Sequence, residues 1–471
     1  MTSILISIDP TNYGPSVKTT YMDVTNIIRS SNGDFCFQLR HKDGSTGQLT
    51  FPMKKPPLTH NSSEPTSRSN GLKNGESTLH LPAELHHQIM DCASHDIRSL
   101  RCAALTCRAW LAAARPLLFR FVQVKNSRQM NNLLGAIRSS PMIAECIRTI
   151  RIGDPKASDP FFRDTSVTAF LDALVELEPP LRNLCALEMY GVVETWSPKM
   201  IRKLARLTSV STLFMGKCGV SPDELGALIS ALPGLRHLKI EYCAGIFHGR
   251  LKHMALPQQY PPALTSLAIE DRSCLNEGLD SLLDCILSSR SRHTIRSVKF
   301  MIGQENTQAV GEFLWAIGQN LERLELGFWT SIETLSSLST STSFHIALAD
   351  SLMFLTEALD HINLSHNTGL RELTLHDPTF PLIPTLLQQV HSQYLHQIIF
   401  RWAPKAFLCA SRAELAKVLA TPRFRMVKNF RFIYDGSHDE SMEPRMKAAF
   451  RMLDEKGILV VRPAKCSDTP H

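Results

Sequence analysis

An α/β repeat array preceded by a short all-α unit is the fold class this sequence predicts, and three observations predict it. A six-residue pattern, apolar-x-x-apolar-x-apolar, recurs ten times between residues 147 and 432. Segments of helical periodicity, with their own start signals, lie between the recurrences. Ahead of the array, a polar stretch at 59–78 gives way abruptly to apolar residues at helical spacing, Leu81 to Trp110.

The recurrences are IRTIRI (147), LCALEM (184), VSTLFM (210), LRHLKI (235), LTSLAI (264), IRSVKF (295), LERLEL (321), LRELTL (370), LHQIIF (395) and VKNFRF (427). Most starts are 25–37 residues apart, and the interval from Leu321 to Leu370 is longer at 49. The alternation closing each run has the period of a strand. Between runs, SPDELGALIS (221–230) supplies Ser221 as N-cap, Pro222 in the first turn and Glu224 to complete a capping box. Its apolar stripe is Leu225, Leu228, Ile229 and Leu232, with Gly234 expected to end the helix. SRAELAKVLA (411–420) repeats the device with Ser411 and Glu414, while 276–287 and 306–318 show the stripe with weaker caps. A strand and a helix repeated at this period predict a solenoid over 123–465, parallel strands inside and helices outside, because each unit buries its apolar residues only against its neighbours. A doubly wound α/β domain is the competing fold. Ten strands exceed a normal sheet, and no glycine-rich phosphate loop follows any of them.

Residues 1–58 hold short strand-like runs, SILISI and DFCFQL, with too few large apolar side chains for an independent core, and no role is assigned to them. Residues 59–78 contain one large apolar residue, Leu72, and read as a flexible linker. Over 79–122 the spacing predicts three helices: one from Pro82 with Leu85 and Ile89 one turn apart, a second from Asp96, and a third carrying Cys107, Trp110 and Leu111 until Pro116 stops or kinks it. Residues 466–471 form a tail.

Composition narrows the function classes. The formal charge of +7 over 471 residues is spread along the chain, and the densest basic cluster, PMKKPP (52–57), is too small to argue for nucleic acid. No apolar run is long enough to span a membrane, and the start MTSILISIDP lacks the features of a signal peptide. The twelve cysteines show no metal spacing, which fits reduced thiols in the cytoplasm and/or nucleus. No nucleophile elbow, zincin helix, Walker loop or EF-hand loop occurs, so neither an enzyme nor a cofactor is expected, and no metal site. His86-His87 is the only His pair, expected to face solvent.

The strand runs resemble leucine-rich repeats. VSTLFMGKC and LRHLKIEYC place Cys218 and Cys243 where the cysteine-containing class of such repeats carries a thiol at the turn leaving the strand. The order Leu81-Pro82-x-Glu84-Leu85, Ile89, Leu100, Leu105, Cys107-Arg108, Trp110 and Pro116-Leu117-Leu118-Phe119-Arg120 closely resembles an F-box of the fungal type. That resemblance implies a substrate-recognition subunit of an SCF-type ubiquitin ligase. The F-box would bind a Skp-type adaptor, and through it a cullin–RING complex, while the repeats recruit a target protein. Carried over residue by residue, the adaptor-facing set is Leu81, Pro82, Leu85, Ile89, Leu100, Leu105, Cys107 and Trp110, each of which has internal packing as its alternative. The second helix, RCAALTC, is poorer in bulky aliphatics than is usual in such domains. The alternative is a non-catalytic repeat scaffold whose F-box-like helices cap the solenoid or bind the adaptor without directing degradation.

Residues between the apolar positions of each run are expected on the concave face, where solenoids bind partners. The central column gives Arg151, Glu188, Phe214, Lys239, Lys299, Glu325 and Arg431 as candidate target contacts, interleaved with Ala268, Thr374 and Ile399. Mixed signs suit a protein ligand better than a polyanion.

Overall fold

A ladder of twelve strands dominates the protein, with strand order following chain order without exception. The computed structural model describes residues 3–6, 20–29, 35–41, 46–51, 83–94, 96–155, 166–178, 180–192, 196–243, 263–270, 278–303, 306–328, 360–376, 383–402, 412–434 and 442–463. The chain divides into two units, Met1–Phe121 and Val122–His471.

In the first unit, β1 (Ser3–Ile6), β2 (Thr20–Arg29), β3 (Phe35–His41) and β4 (Thr46–Phe51) form an antiparallel four-stranded meander. The apolar runs flag β1 and β3. They miss β2 and β4, whose sequences TYMDVTNIIR and TGQLTF carry many polar residues. Three helices follow: α1 (Ala83–Cys92), α2 (Ile97–Ala104) and α3 (Arg108–Leu118). Asp96 caps α2 by accepting a hydrogen bond from the Arg98 N–H. Pro116 neither stops nor ends α3, which runs to Leu118. Its missing N–H removes one helical bond, that to the Ala112 carbonyl, and the helix still closes through the bond from the Phe119 N–H to the Arg115 carbonyl. Met90, Leu100, Ala103, Trp110, Ala113 and Ala114 close a small core among these helices.

The ladder comprises β5 (Phe121–Val124), β6 (Thr149–Ile152), β7 (Ala186–Tyr190), β8 (Thr212–Gly216), β9 (His237–Glu241), β10 (Ser266–Glu270), β11 (Ser297–Ile302), β12 (Arg323–Phe328), β13 (Glu372–His376), β14 (Gln397–Trp402), β15 (Asn429–Tyr434) and β16 (Leu459–Pro463). From β6 to β16 every neighbouring pair is parallel. All ten sequence recurrences lie on strands, β6 to β15. Two more strands close the ladder. β16 escapes the pattern because Lys456 stands three positions ahead of the pair Leu459 and Val461, whereas β5 does fit it, as FRFVQV (119–124) at the end of α3. The long interval after Leu321 adds no strand, since β12 pairs directly with β13, and its Ser/Thr-rich part lies outside the described residues.

Burial explains why the pattern is so regular. The three apolar positions of all ten recurrences are at most 4% exposed, from Ile147, Ile150 and Ile152 to Val427, Phe430 and Phe432. Each such side chain is worth roughly 1.5–3 kcal/mol when removed from water. Helices fill the crossovers: α4 (Ser127–Ser139), α5 (Met142–Cys146), α6 (Ser166–Val175), α7 (Pro198–Leu204), α8 (Pro222–Ala231), α9 (Leu279–Leu287), α10 (Ser291–Thr294), α11 (Thr307–Ile317), α12 (Ile383–Gln389), α13 (Arg412–Leu419), α14 (Met442–Ala449) and α15 (Arg451–Glu455). Parallel neighbours joined by crossovers of one hand must carry their helices on one face of the sheet. The other face carries none of the described crossover helices. At the C-terminal end, Phe400, Phe432 and Phe450 stack at centroid distances of 5.0 and 4.9 Å, closing the core with aromatic area.

Local signals behave as the sequence indicates, with instructive exceptions. The α8 capping box is formed: the Ser221 N–H donates to Glu224 Oε2 at 2.9 Å and the Glu224 N–H to Ser221 Oγ at 3.3 Å. The free carboxylate oxygen accepts from the Trp196 N–H at 2.8 Å, tying the cap to the preceding unit. Gly234 does not end α8, which closes at Ala231 with Leu232 as its cap. Its lack of a side chain serves packing instead, since a Cβ there would sit 2.5 Å from the Thr208 carbonyl oxygen. Ser411 lies outside the described residues, with α13 beginning at Arg412. Buried Asn367, unflagged by any pattern, donates to the Leu314 and Gly318 carbonyls at 2.9 and 3.1 Å, satisfying the end of α11.

Leu228 is fully buried in the α8 stripe. Leu228→Ala is expected to cost about 2–5 kcal/mol, and Ser221→Ala only about 1 kcal/mol, in urea unfolding followed by circular dichroism.

Candidate functional site

Two surfaces carry the residues singled out by sequence, one in each unit. In the helical unit Leu81 and Pro82 lie outside the described residues. Leu100 and Trp110 are 2% and 8% exposed and belong to the closed core, with Ile89 packed against them. Leu85 is half-buried and Cys107 exposed. Leu105, which caps α2, is 85% exposed. Ile97 and Leu111, outside the candidate set, are exposed too. The alternation of apolar residues identifies the helix faces without saying which of them meet inside the bundle. His86 does not face solvent as expected. It is half-buried with its ring 6.4 Å from that of Trp110, and burial, with His87 adding, lowers its pKa.

On the sheet, the expected central column is a real row of the ladder. Register pairs run Arg151–Glu188–Phe214–Lys239–Ala268–Lys299–Glu325–Thr374–Ile399–Arg431 in unbroken sequence. These residues alternate with the buried strand positions, which places them on the open face. A second row, two residues further along, includes Tyr190, Glu241, Glu270, Met301, Gly327 and His376. Sequence reasoning missed this row because most of it lies just beyond the six-residue pattern. The period of two would have found it.

The two rows interlock into partnered clusters. Arg151 Nε lies 2.5 Å from Glu188 Oε2, and its guanidinium sits 5.5 Å from the Tyr190 ring centroid. Tyr190 packs on Phe214 with centroids 4.7 Å apart, and the Lys239 ammonium stands 5.1 Å from the Phe214 ring. Lys239 also pairs with Glu241 at 2.5 Å. Burial pushes the Tyr190 phenol up to about 12, so it remains a neutral hydrogen-bonding group at any physiological pH. Phe214 is itself only 6% exposed, so it supports this cluster more than it presents a surface.

The second cluster centres on Lys299, 2.7 Å from Glu270 and 2.9 Å from Glu325, with His376 Nε2 2.6 Å from the same Glu325 oxygen. Burial opposes the charge of Glu325, but the hydrogen bond with His376 and the charge of Lys299 outweigh it and hold the carboxyl at about 2. Burial likewise opposes the charge of Lys299, and its two carboxylates raise its pKa nonetheless. Arg431 spends one N–H on Asn429 Oδ1 at 3.2 Å.

Cys218 and Cys243 are buried on the turns leaving β8 and β9, behind Lys217 and Tyr242 at φ 52° and 49°. The Cys218 thiol reaches the Met189 carbonyl and the Cys243 thiol the Met215 carbonyl, each at 3.5 Å, and Cys243 Sγ accepts from the Cys218 N–H at 3.4 Å. These contacts satisfy turn backbone across three units and provide no reactive group at the surface. Among the described residues no group of three or more His, Cys, Asp or Glu could hold a metal, and no helix is long and apolar enough to cross a membrane.

A helix-backed parallel ladder with one open face defines an α/β architecture consistent with a repeat solenoid. No family model matches the chain, and no curated protein matches it at a significant level. Among solved structures it is similar to a Bacteroides fragilis protein at 12% identity, with a TM-score of 0.33, over 100% of this chain and 97% of that one. The fold therefore rests on the strand ladder itself.

A depressed carboxylate stabilises the fold above its unfolded pKa and loses that contribution as pH falls through the folded value. Glu325→Gln should thus cost roughly 1–3 kcal/mol near pH 6. The difference from the unsubstituted chain should shrink between about pH 4.5 and 2. Urea titrations of both proteins across that range measure it.

Proposed function

We propose that the chain is a non-catalytic recognition subunit of an SCF-type ubiquitin ligase, an F-box protein with leucine-rich repeats. In this reading the helices α1–α3 bind a Skp-type adaptor, and through it a cullin–RING complex, while the open sheet face holds a target protein. With no family model behind it, the reading rests on the ordered series LPxEL…I…L…CRxW…PLLFR and on one structural observation. That observation is the 85% exposure of Leu105 on a bundle whose own core is already closed by Leu100 and Trp110. An exposed large aliphatic, accompanied by Ile97 and Leu111, suits an apolar partner surface. The transferring thiol of such a ligase lies on another subunit, which is compatible with a chain showing no catalytic motif. A cytoplasmic and/or nuclear location belongs to the same reading.

Co-expression with the adaptor and affinity capture of the full chain tests this. The unsubstituted chain should retain the adaptor in stoichiometric amount. Leu105→Asp and Ile97→Asp should each reduce retention at least tenfold, the effect of burying one unpaired charge, with far-ultraviolet circular dichroism unchanged. If the unsubstituted chain retains none, the ligase reading falls and the scaffold reading replaces it.

A further inference from the structure

Strand starts in a parallel ladder lie along one edge, and here that edge is basic. The described connections entering β9 to β15 span 232–236, 263–265, 288–296, 318–322, 362–371, 390–396 and 420–428. They hold eight Arg or Lys, one entering β9, three entering β11, one entering β13 and three entering β15, and a single carboxylate, Glu322. All eight cations are exposed. They are far apart in sequence, so no basic tract marks them. The fold gathers them.

Register sets four of them in one row. Backbone bonds extend the ladder one residue ahead of the paired strand positions, through Arg236, Thr265, Arg296, Glu322, Arg371, His396 and Lys428, each N–H donating to the carbonyl of the residue before it in the row. Arg236, Arg296, Arg371 and Lys428 thus stand on alternate strands, roughly 10 Å apart at the backbone. Glu322 lies 3.8 Å from the Nε atoms of both Arg296 and Arg371, so one negative charge answers two positive ones. Arg292 and Arg423 donate to the Ala316 and Gln388 carbonyls, which hold the side chains without cancelling their charge. In the row that follows, Arg323 and Glu372 balance each other at 3.6 Å. Helix C-termini along this edge attract cations, yet the four row residues stand at the strand end of each connection, beyond the last helical turn.

Aromatic rings share the edge. Among the described side chains of the second unit, the exposed Trp and Tyr are Trp315 at 56% and Tyr394 at 64%. Tyr394 lies in the connection entering β14, and Trp315 at the end of α11, its ring 5.6 Å from that of His366 in the connection entering β13. Tyr394, Arg296, Glu322, Thr368 and Arg371 line a hollow of about 380 Å³.

We infer that the edge formed by the starts of β9 to β15 binds single-stranded nucleic acid, with phosphates on the row of cations and bases on Tyr394 and Trp315. The inference stands on the second unit alone and does not rest on the ligase reading. A line of exposed cations tracks a phosphate backbone, and aromatic faces hold unpaired bases whatever their identity. Guanidinium planes add both functions, since they pair with phosphate and stack on rings. The hollow between Arg296 and Arg371 is of the size that takes a small ligand group. An acidic protein segment would meet the same cations but brings nothing for the rings to stack on. A duplex keeps its bases stacked inside. The interleaving of rings with cations therefore selects the single strand.

The probe is a fluorescein-labelled oligo-uridine of about twelve nucleotides, and binding to the purified full chain is read by fluorescence polarisation between about 50 and 200 mM salt. The logarithm of affinity should fall against the logarithm of salt with a slope of about −3, the value for four phosphate contacts on a single strand. Arg371→Gln should weaken binding about fivefold and flatten that slope by about 0.7. Tyr394→Ala should weaken it about tenfold and leave the slope unchanged, a split that a general loss of structure would not produce. Lys125→Gln, the same loss of charge at the opposite end of the strands, should change neither. Absence of oligo-uridine binding at about 50 mM salt overturns the inference using the unsubstituted chain alone. A duplex of equal length that binds as tightly overturns it too. A poly-glutamate peptide of equal charge that binds as tightly also overturns it and assigns the edge to an acidic protein. So does an affinity that Arg371→Gln and Tyr394→Ala leave unchanged.

Discussion

Everything in the second unit depends on one constraint: the three apolar positions of each strand run are buried only if another run lies on each side. A single unit exposes those residues at its edges, and a strand and a helix cannot enclose them alone. Stacking in chain order meets the need with the shortest connections. The same geometry sets the parallel direction, the shared helix layer and the rows of the open face. The helix stripes answer to this constraint as well, with Leu225, Leu228 and Ile229 of α8 all at most 1% exposed. The ends of the array need other means. At the C-terminal end the stack of Phe400, Phe432 and Phe450 supplies area that a further repeat would have provided.

What the sequence makes legible follows from that constraint. Positions that must be buried in every unit repeat, so the ten strands, their register and the central row can be read from LxxLxL-like spacing alone. Features that occur once do not repeat and are not legible. The strand β16 sits where the pattern is half complete, and Asn367 satisfies α11 from 49 residues away. Gly234 reads as a helix stop, although a close approach to Thr208 is what requires it. Among the helices of the first unit the pattern marks Leu100, Leu105 and Trp110 as equally apolar. Their exposures of 2%, 85% and 8% depend on how three short helices meet, which no periodicity encodes.

The ladder also constrains the face it does not bury. Parallel strands in perfect register set each open-face residue about 4.8 Å from its counterparts on both neighbouring strands. Two like charges at such a spacing repel strongly when half-buried. The central row obeys this: Arg151 is followed by Glu188, Lys299 by Glu325, and no like charges adjoin. Where the next row does set Glu241 beside Glu270, Lys239 and Lys299 each hold one of them. A face so matched contributes its own rigidity and leaves little charge for a partner. At β10–β13 a partner bringing a carboxylate would have to displace Glu270 or Glu325 from Lys299, at the cost of a half-buried pair.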